Sequence, residues 1–111
     1  MADIKRTRGD TYADEFIILR EETGLPLNLT GFSFLLTLDP ERRPTSAANH
    51  VYQLTGTILN AAQGRVEFAP SSSQANIVGT YYYDVQMVDG AGRKRTVESG
   101  KYRYVQDITK T

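Results

Sequence analysis

Apolar residues recur at every second position in several short runs of this chain. The clearest run is Phe32 to Asp39, where Phe32, Phe34, Leu36 and Leu38 share one face. Ser33 and Thr37 lie opposite, with Leu35 between them. A period of two is the mark of a strand with one face buried. Gly79 to Val88 repeats the pattern: Tyr81, Tyr83, Val85 and Met87 point one way, and Tyr82, Asp84 and Gln86 the other. Arg65 to Ala69 turns Val66 and Phe68 inward.

Weaker runs fill the remainder. Ile4 to Thr7 reads as a short basic strand. Glu15 to Arg20 places Phe16, Ile18 and Arg20 on one face and Ile17 and Leu19 on the other, so both faces look partly covered. Leu27 and Leu29 point the same way before Gly31 breaks the run. Val51 to Leu59 reads as one strand. Arg95 to Val105 returns along Gly79 to Val88, and Gly100 is the expected site of a bulge or kink.

Turn residues punctuate these runs every ~8–12 positions, the spacing of sandwich strands. Gly24 suits a turn of positive φ, as does the pair of glycines in Asp89-Gly90-Ala91-Gly92. Asn60 to Gly64 is a further turn, and residues 40–49 form a loop with no period. Residues 70–77 begin with Pro and three Ser, a pattern that predicts one short helical turn. Seven to nine strands with no useful helix must bury two apolar faces against each other. The expected fold is therefore all-β, an immunoglobulin-like antiparallel sandwich; a small barrel is the alternative.

Composition narrows the function. The chain has 111 residues, which suits a single domain over 1–111. Residues 1–8 are read as an N-terminal arm and 106–111 as a C-terminal tail. There is no cysteine, which removes disulfides, thiolate metal sites and thiol nucleophiles. Lys and Arg together number 13 and Asp and Glu 13, so the basic excess of a duplex-binding domain is missing. No apolar run approaches the ~18–20 residues of a membrane span, and the first residues carry no apolar secretory core.

Candidate chemistry is sparse. His50 is the one histidine, and no Asp, Ser or Cys close to it in sequence completes a triad. The acidic neighbours Asp14-Glu15 and Glu21-Glu22 alternate in direction and do not face each other across a cleft, as paired carboxylate chemistry requires. No Gly-rich phosphate loop precedes a helix. No enzyme activity, cofactor, metal or small-molecule substrate is expected. Arg8-Gly9-Asp10 spells an adhesion tripeptide, but its structural reading is a tight bend at Gly9. Tyr81 and Tyr83 are expected in the core, one of them reaching the backbone. Tyr82 faces outward, where tyrosine serves well as an interface anchor.

The order of several motifs carries a resemblance. Ile4-Lys5-Arg6 with Arg8-Gly9-Asp10-Thr11, Leu27-Asn28-Leu29-Thr30-Gly31, Gly64-Arg65-Val66-Glu67-Phe68, Gly79 through Gln86, and Ser99-Gly100-Lys101 follow one another. Together they resemble small tailed-phage virion proteins, nearest the Ig-like N-terminal domain of phage baseplate upper proteins. That resemblance implies a virion component of tail, baseplate, collar or head decoration that docks on other virion proteins. Its setting would be many copies on a symmetric particle, assembled in the bacterial cytoplasm. Ending just after the sandwich, the sequence favours a stand-alone accessory over a baseplate adaptor. The residues expected at the interface are Ile4, Lys5, Arg6, Arg8, Arg42, Arg43, His50 and Tyr82. The arm and tail are expected to add to a neighbour's sheet edge. A carbohydrate- or host-surface-binding module on the same fold is the alternative, marked by a shallow aromatic patch.

Overall fold

A computed structural model describes residues 3–9, 12–20, 22–41 and 50–106. Among them are eight strands: β1 Ile4–Thr7, β2 Asp14–Ile17, β3 Ser33–Asp39, β4 Tyr52–Thr55, β5 Thr57–Asn60, β6 Arg65–Phe68, β7 Gly79–Val88 and β8 Lys94–Val105. They form a five-stranded sheet of order β1-β8-β7-β3-β4 and a three-stranded sheet of order β2-β6-β5. The two sheets pack as an immunoglobulin-like sandwich. All pairs are antiparallel except β1 with β8, which run parallel with Ile4 opposite Tyr102 and Thr7 opposite Val105.

The two clearest period-two runs make the centre of the large sheet. β3 and β7 pair with Phe34 opposite Met87, Leu36 opposite Val85 and Leu38 opposite Tyr83. All six side chains are buried. The small sheet supplies Phe16, Val66 and Phe68 from above. The Phe16 and Phe68 rings meet edge to face with centroids 5.9 Å apart, a geometry that adds ~0.5–1.5 kcal/mol to the area they bury.

Several expectations change on contact with the structure. The run from Val51 to Leu59 is two strands, not one: β4 belongs to the large sheet and β5 to the small one. Gly56 is the crossing point, its N–H bonded to the Phe34 carbonyl at 2.8 Å. A methyl group there would sit 2.9 Å from both the Phe68 ring and Val66. The crossing therefore passes through the core, at a place with no room for a side chain.

β2 is covered on one face only. Phe16 and Ile18 are buried, while Ile17 and Leu19 are about half exposed. The bulge of the β7–β8 pair is not at Gly100, which stands in register opposite Tyr83. It falls where β8 slips past Val97, since Val85 faces Glu98 and Gln86 faces Thr96.

Residues 70–77 form a turn, not a helix. Ser71 and Gln74 bond reciprocally: the Ser71 N–H donates to Gln74 Oε1 at 2.8 Å, and the Gln74 N–H to Ser71 Oγ at 3.2 Å. That is the side-chain exchange of a helix start. One i→i+4 bond follows, from the Ala75 N–H to the Ser71 carbonyl. Ala75 is then wholly buried and Ile77 bonds back to it. Core insertion at Ala75 ends the coil after its first turn, because a single turn is too short to stand alone.

The N-terminal segment is part of the sheet. As β1, it fills the edge beside β8, and Arg8 N–H continues the ladder to the Val105 carbonyl. Within the segment read as an N-terminal arm, Ile4–Thr7 pair inside the chain on one side, as the short strand expected there. No helix among the described residues is long and apolar enough to cross a membrane.

Candidate docking surfaces

The expected interface residues separate into three environments. Ile4 and Arg6 alternate with Lys5 along β1, so the first two turn inward and Lys5 turns out. Ile4 packs against the core. Arg6 reaches across to the small sheet, where its Nη2 meets Asp14 Oδ1 at 2.7 Å and its Nε the same oxygen at 3.1 Å. Asp14 is 2% exposed. Its other oxygen accepts the Tyr102 hydroxyl at 2.5 Å. The Tyr52 and Tyr104 hydroxyls bond to each other at 2.9 Å, and the Tyr102 and Tyr104 rings stack with centroids 5.0 Å apart.

Arg6 thus has a structural role. A buried polar cluster ties β1, β8 and β4 of the large sheet to β2 of the small one. Burial pushes the Asp14 carboxyl above its ordinary range, and this outweighs the opposing pull of Tyr102 and Arg6. Burial likewise raises the Tyr102 and Tyr52 hydroxyls far above the phenolic value. These tyrosines stay neutral, and Tyr102 donates its hydroxyl hydrogen to Asp14.

Nothing in the sequence brought Asp14 and Tyr102 together. The signal was present but silent: Asp14 shares its parity with Phe16 and Ile18, so it had to point into the core. A carboxylate at a core position needs partners.

His50 and Tyr82 are brought together on the outer face of the large sheet. The absence of a sequence neighbour for His50 is corrected here. Its Nδ1 lies 2.6 Å from Oδ2 of Asp39, the buried last residue of β3. The separation of 11 positions along the chain hid this pair. Asp39 Oδ1 also accepts the Glu41 N–H at 2.8 Å, so one carboxylate receives both the chain leaving β3 and the imidazole preceding β4. No serine or threonine hydroxyl is hydrogen-bonded to the imidazole among the described residues.

Tyr82 is half-buried, opposite Asp39 on β3 and Lys101 on β8. A trough of about 680 Å³ runs across β4, β3, β7 and β8 beside it. Its floor is low, made of Leu35, Thr37, Ser99 and Gly100. Asp84 stands near the middle, flanked by Thr37 and Ser99. Desolvation raises its carboxyl above the usual value despite the opposing attraction of His50.

Arg8 closes the β1 edge through its backbone, and Gly9 bends with φ 79°. Arg42 and Arg43 lie outside the described residues, as does Asp10 of the Arg-Gly-Asp string. Tyr81 is the tyrosine that reaches the backbone, its hydroxyl donating to the Val78 carbonyl at 3.1 Å. Among the described residues no group of three or more His, Asp or Glu side chains is placed to hold a metal ion.

A second surface was missed by the sequence reading. Ile17 and Leu19, of one parity at the end of β2, are both about half exposed. A shallow groove beside them is bordered by Met87, Val97, Arg95 and Glu98.

The two packed sheets define the class as an all-β, immunoglobulin-like sandwich domain. The particular likeness is to the N-terminal domain of ORF48 of phage TP901-1. The two share 17% sequence identity with a TM-score of 0.54, and the match covers 96% of this chain and 85% of that one. No family model matches the sequence, and no curated protein does. The likeness is one of fold.

Proposed function

We propose that this chain is a phage virion structural protein that acts by docking on other virion proteins. The observation that carries the reading is the fold shared, over nearly the whole chain, with a domain of a phage baseplate protein. The motif order of the sequence points the same way. So does the chemistry: the described polar clusters are hydrogen-bonded pairs that hold strands together, and none aligns a nucleophile with a base.

Docking uses what the sandwich leaves open. Among the described residues the outer edges of β1, β4, β2 and β5 each lack a strand partner on one side, and such edges accept an added strand. Lys5, on the exposed side of β1, marks one of them. The half-exposed Ile17 and Leu19 supply an apolar anchor. Zero net charge suits repeated packing of identical copies on a symmetric particle, since a single sign would repel neighbours.

The test is mass spectrometry of purified particles separated into heads and tails. The expected result is the chain in one fraction at a fixed stoichiometry. Its absence from both, with soluble protein left in the lysate, overturns the reading.

A further inference from the structure

The outer face of the five-stranded sheet has no covering layer among the described residues, yet it is not built as a plain solvent face. A solvated sheet face normally carries long, mixed charges. Here the middle of β7 and its neighbours carries Thr37, Asp84 and Ser99 in one row, with Leu35 and Gln86 in the next. Short side chains at the centre and taller ones at the rim, Tyr82 and Gln53 among them, leave the trough.

Charge is also segregated there. The chain as a whole is neutral. The trough is lined by Asp3, Asp39, Glu41 and Asp84, against Lys101 and the imidazole of His50. Asp39 is engaged by His50 and the Glu41 backbone, and Asp3 accepts the Lys101 N–H at 3.2 Å. Glu41 lies beyond the end of β3, whereas Asp84 stands mid-sheet between Thr37 and Ser99, at the open centre. It lies two residues from Tyr82 on the same face, so a carboxylate and an aromatic ring border one space.

That pairing selects a ligand. A guanidinium is planar, forms two parallel bonds to a carboxylate, and stacks on an aromatic face. An ammonium satisfies the first partner as a point charge and lacks the flat face. We infer that the trough receives an arginine side chain from an extended segment of a partner protein, with Asp84 taking the guanidinium and Tyr82 covering it. This deepens the docking reading and rests on it: the trough becomes the specific contact, and the strand edges the non-specific ones.

The test uses the full chain, labelled for NMR, titrated with a capped Gly-Gly-Arg-Gly-Gly peptide at low salt. The expected result is saturable shifts centred on the amides of Thr37, Tyr82, Asp84 and Ser99. The same peptide with neutral citrulline in place of arginine should produce none. Asp84→Asn should weaken the interaction by at least about tenfold, the scale of one charged hydrogen bond, and Tyr82→Leu should weaken it while leaving the other amide positions unmoved.

Equal shifts from the citrulline peptide, or from a neutral oligosaccharide, overturn the inference in favour of a hydroxyl- or amide-binding face. Particle incorporation separates the two levels. If Asp84→Asn enters particles as well as wild type does, the trough is not the contact and the docking reading stands. If wild type itself is absent from particles, the docking reading falls.

Discussion

At the scale of single residues, two glycines and one carboxylate do most to fix the fold. Gly56 lets the chain pass from one sheet to the other between Phe34, Val66 and Phe68. Gly56→Ala places a methyl 2.9–3.0 Å from all three and should cost about 1–3 kcal/mol of overpacking, read as a fall in the urea midpoint. Gly64 is stricter. It holds φ 68°, and a Cβ there would lie 2.5 Å from the Ile18 carbonyl, a backbone atom that cannot turn aside. Gly64→Ala should therefore be the more damaging of the two in the same assay.

Asp14 gives a pH signature. Its folded-state carboxyl is raised by burial, so the fold favours its protonated form. The stability it contributes is fully present below the unfolded value of 3.8 and is lost as pH rises through the folded value. Asn at this position cannot ionise, so the stability of Asp14→Asn relative to wild type should rise with pH across that window, in denaturation curves between about pH 3 and pH 7. Asp89 works in the opposite sense. Backbone bonds from Arg93 and Ala91 hold its carboxyl below the ordinary range, so its support of the β7–β8 hairpin is present at neutral pH and is lost on acidification. Asp14→Ala differs from Asp14→Asn: it leaves Arg6 and the Tyr102 hydroxyl facing a void, and should cost about 3–5 kcal/mol.

At the scale of elements, the sequence revealed most where burial is one-sided. β3, β6 and β7 were legible because alternating side chains meet water on one face and the core on the other. β4 and β5 were not, because the break between them is a glycine inside an unbroken-looking apolar run. Period alone cannot distinguish a strand that continues from one that changes sheets. The bulge was misplaced for a related reason. Gly100 permits a kink, but the extra residue is absorbed at Val97, whose side chain packs on the core. Residues 70–77 hold a helix's capping exchange without a helix, since the local signal was correct and the core claimed Ala75.

β1 shows the same limit in pairing. Its strand character was readable, but its partner, almost the whole chain away, was not. Removal of residues 1–8 should now be expected to harm the fold. It takes away a ladder and the guanidinium that faces Asp14, an effect of about 3 kcal/mol or more, visible as a lower thermal midpoint. Selective loss of particle incorporation without loss of stability would instead restore the segment as a detachable arm. At the candidate site, Tyr82 was legible from parity, whereas the Asp39–His50 pair was hidden by the loop between them.

At the scale of the whole molecule, pairing is long-range. β1 joins β8, and β2 joins β6 across the intervening β3, β4 and β5. Loops of that length must close before their contacts form, so refolding should take about milliseconds to seconds rather than microseconds. With seven tyrosines and no tryptophan, tyrosine fluorescence after stopped-flow dilution is the natural probe, and a dominant microsecond phase would contradict this topology-based expectation.

The parallel pairing of β1 with β8 also sets how the domain bears load. The first strand begins beside Tyr102 and ends beside Val105. Force that draws the N-terminal end and the C-terminal end apart therefore slides the two strands along each other, and their cross-links resist together. An antiparallel pair at the same place would peel one bond at a time. Forced rupture follows the unfolding rate rather than equilibrium stability, so this edge, with Arg6 bonded to Asp14, should resist pulling at the two ends beyond what the equilibrium stability alone would give.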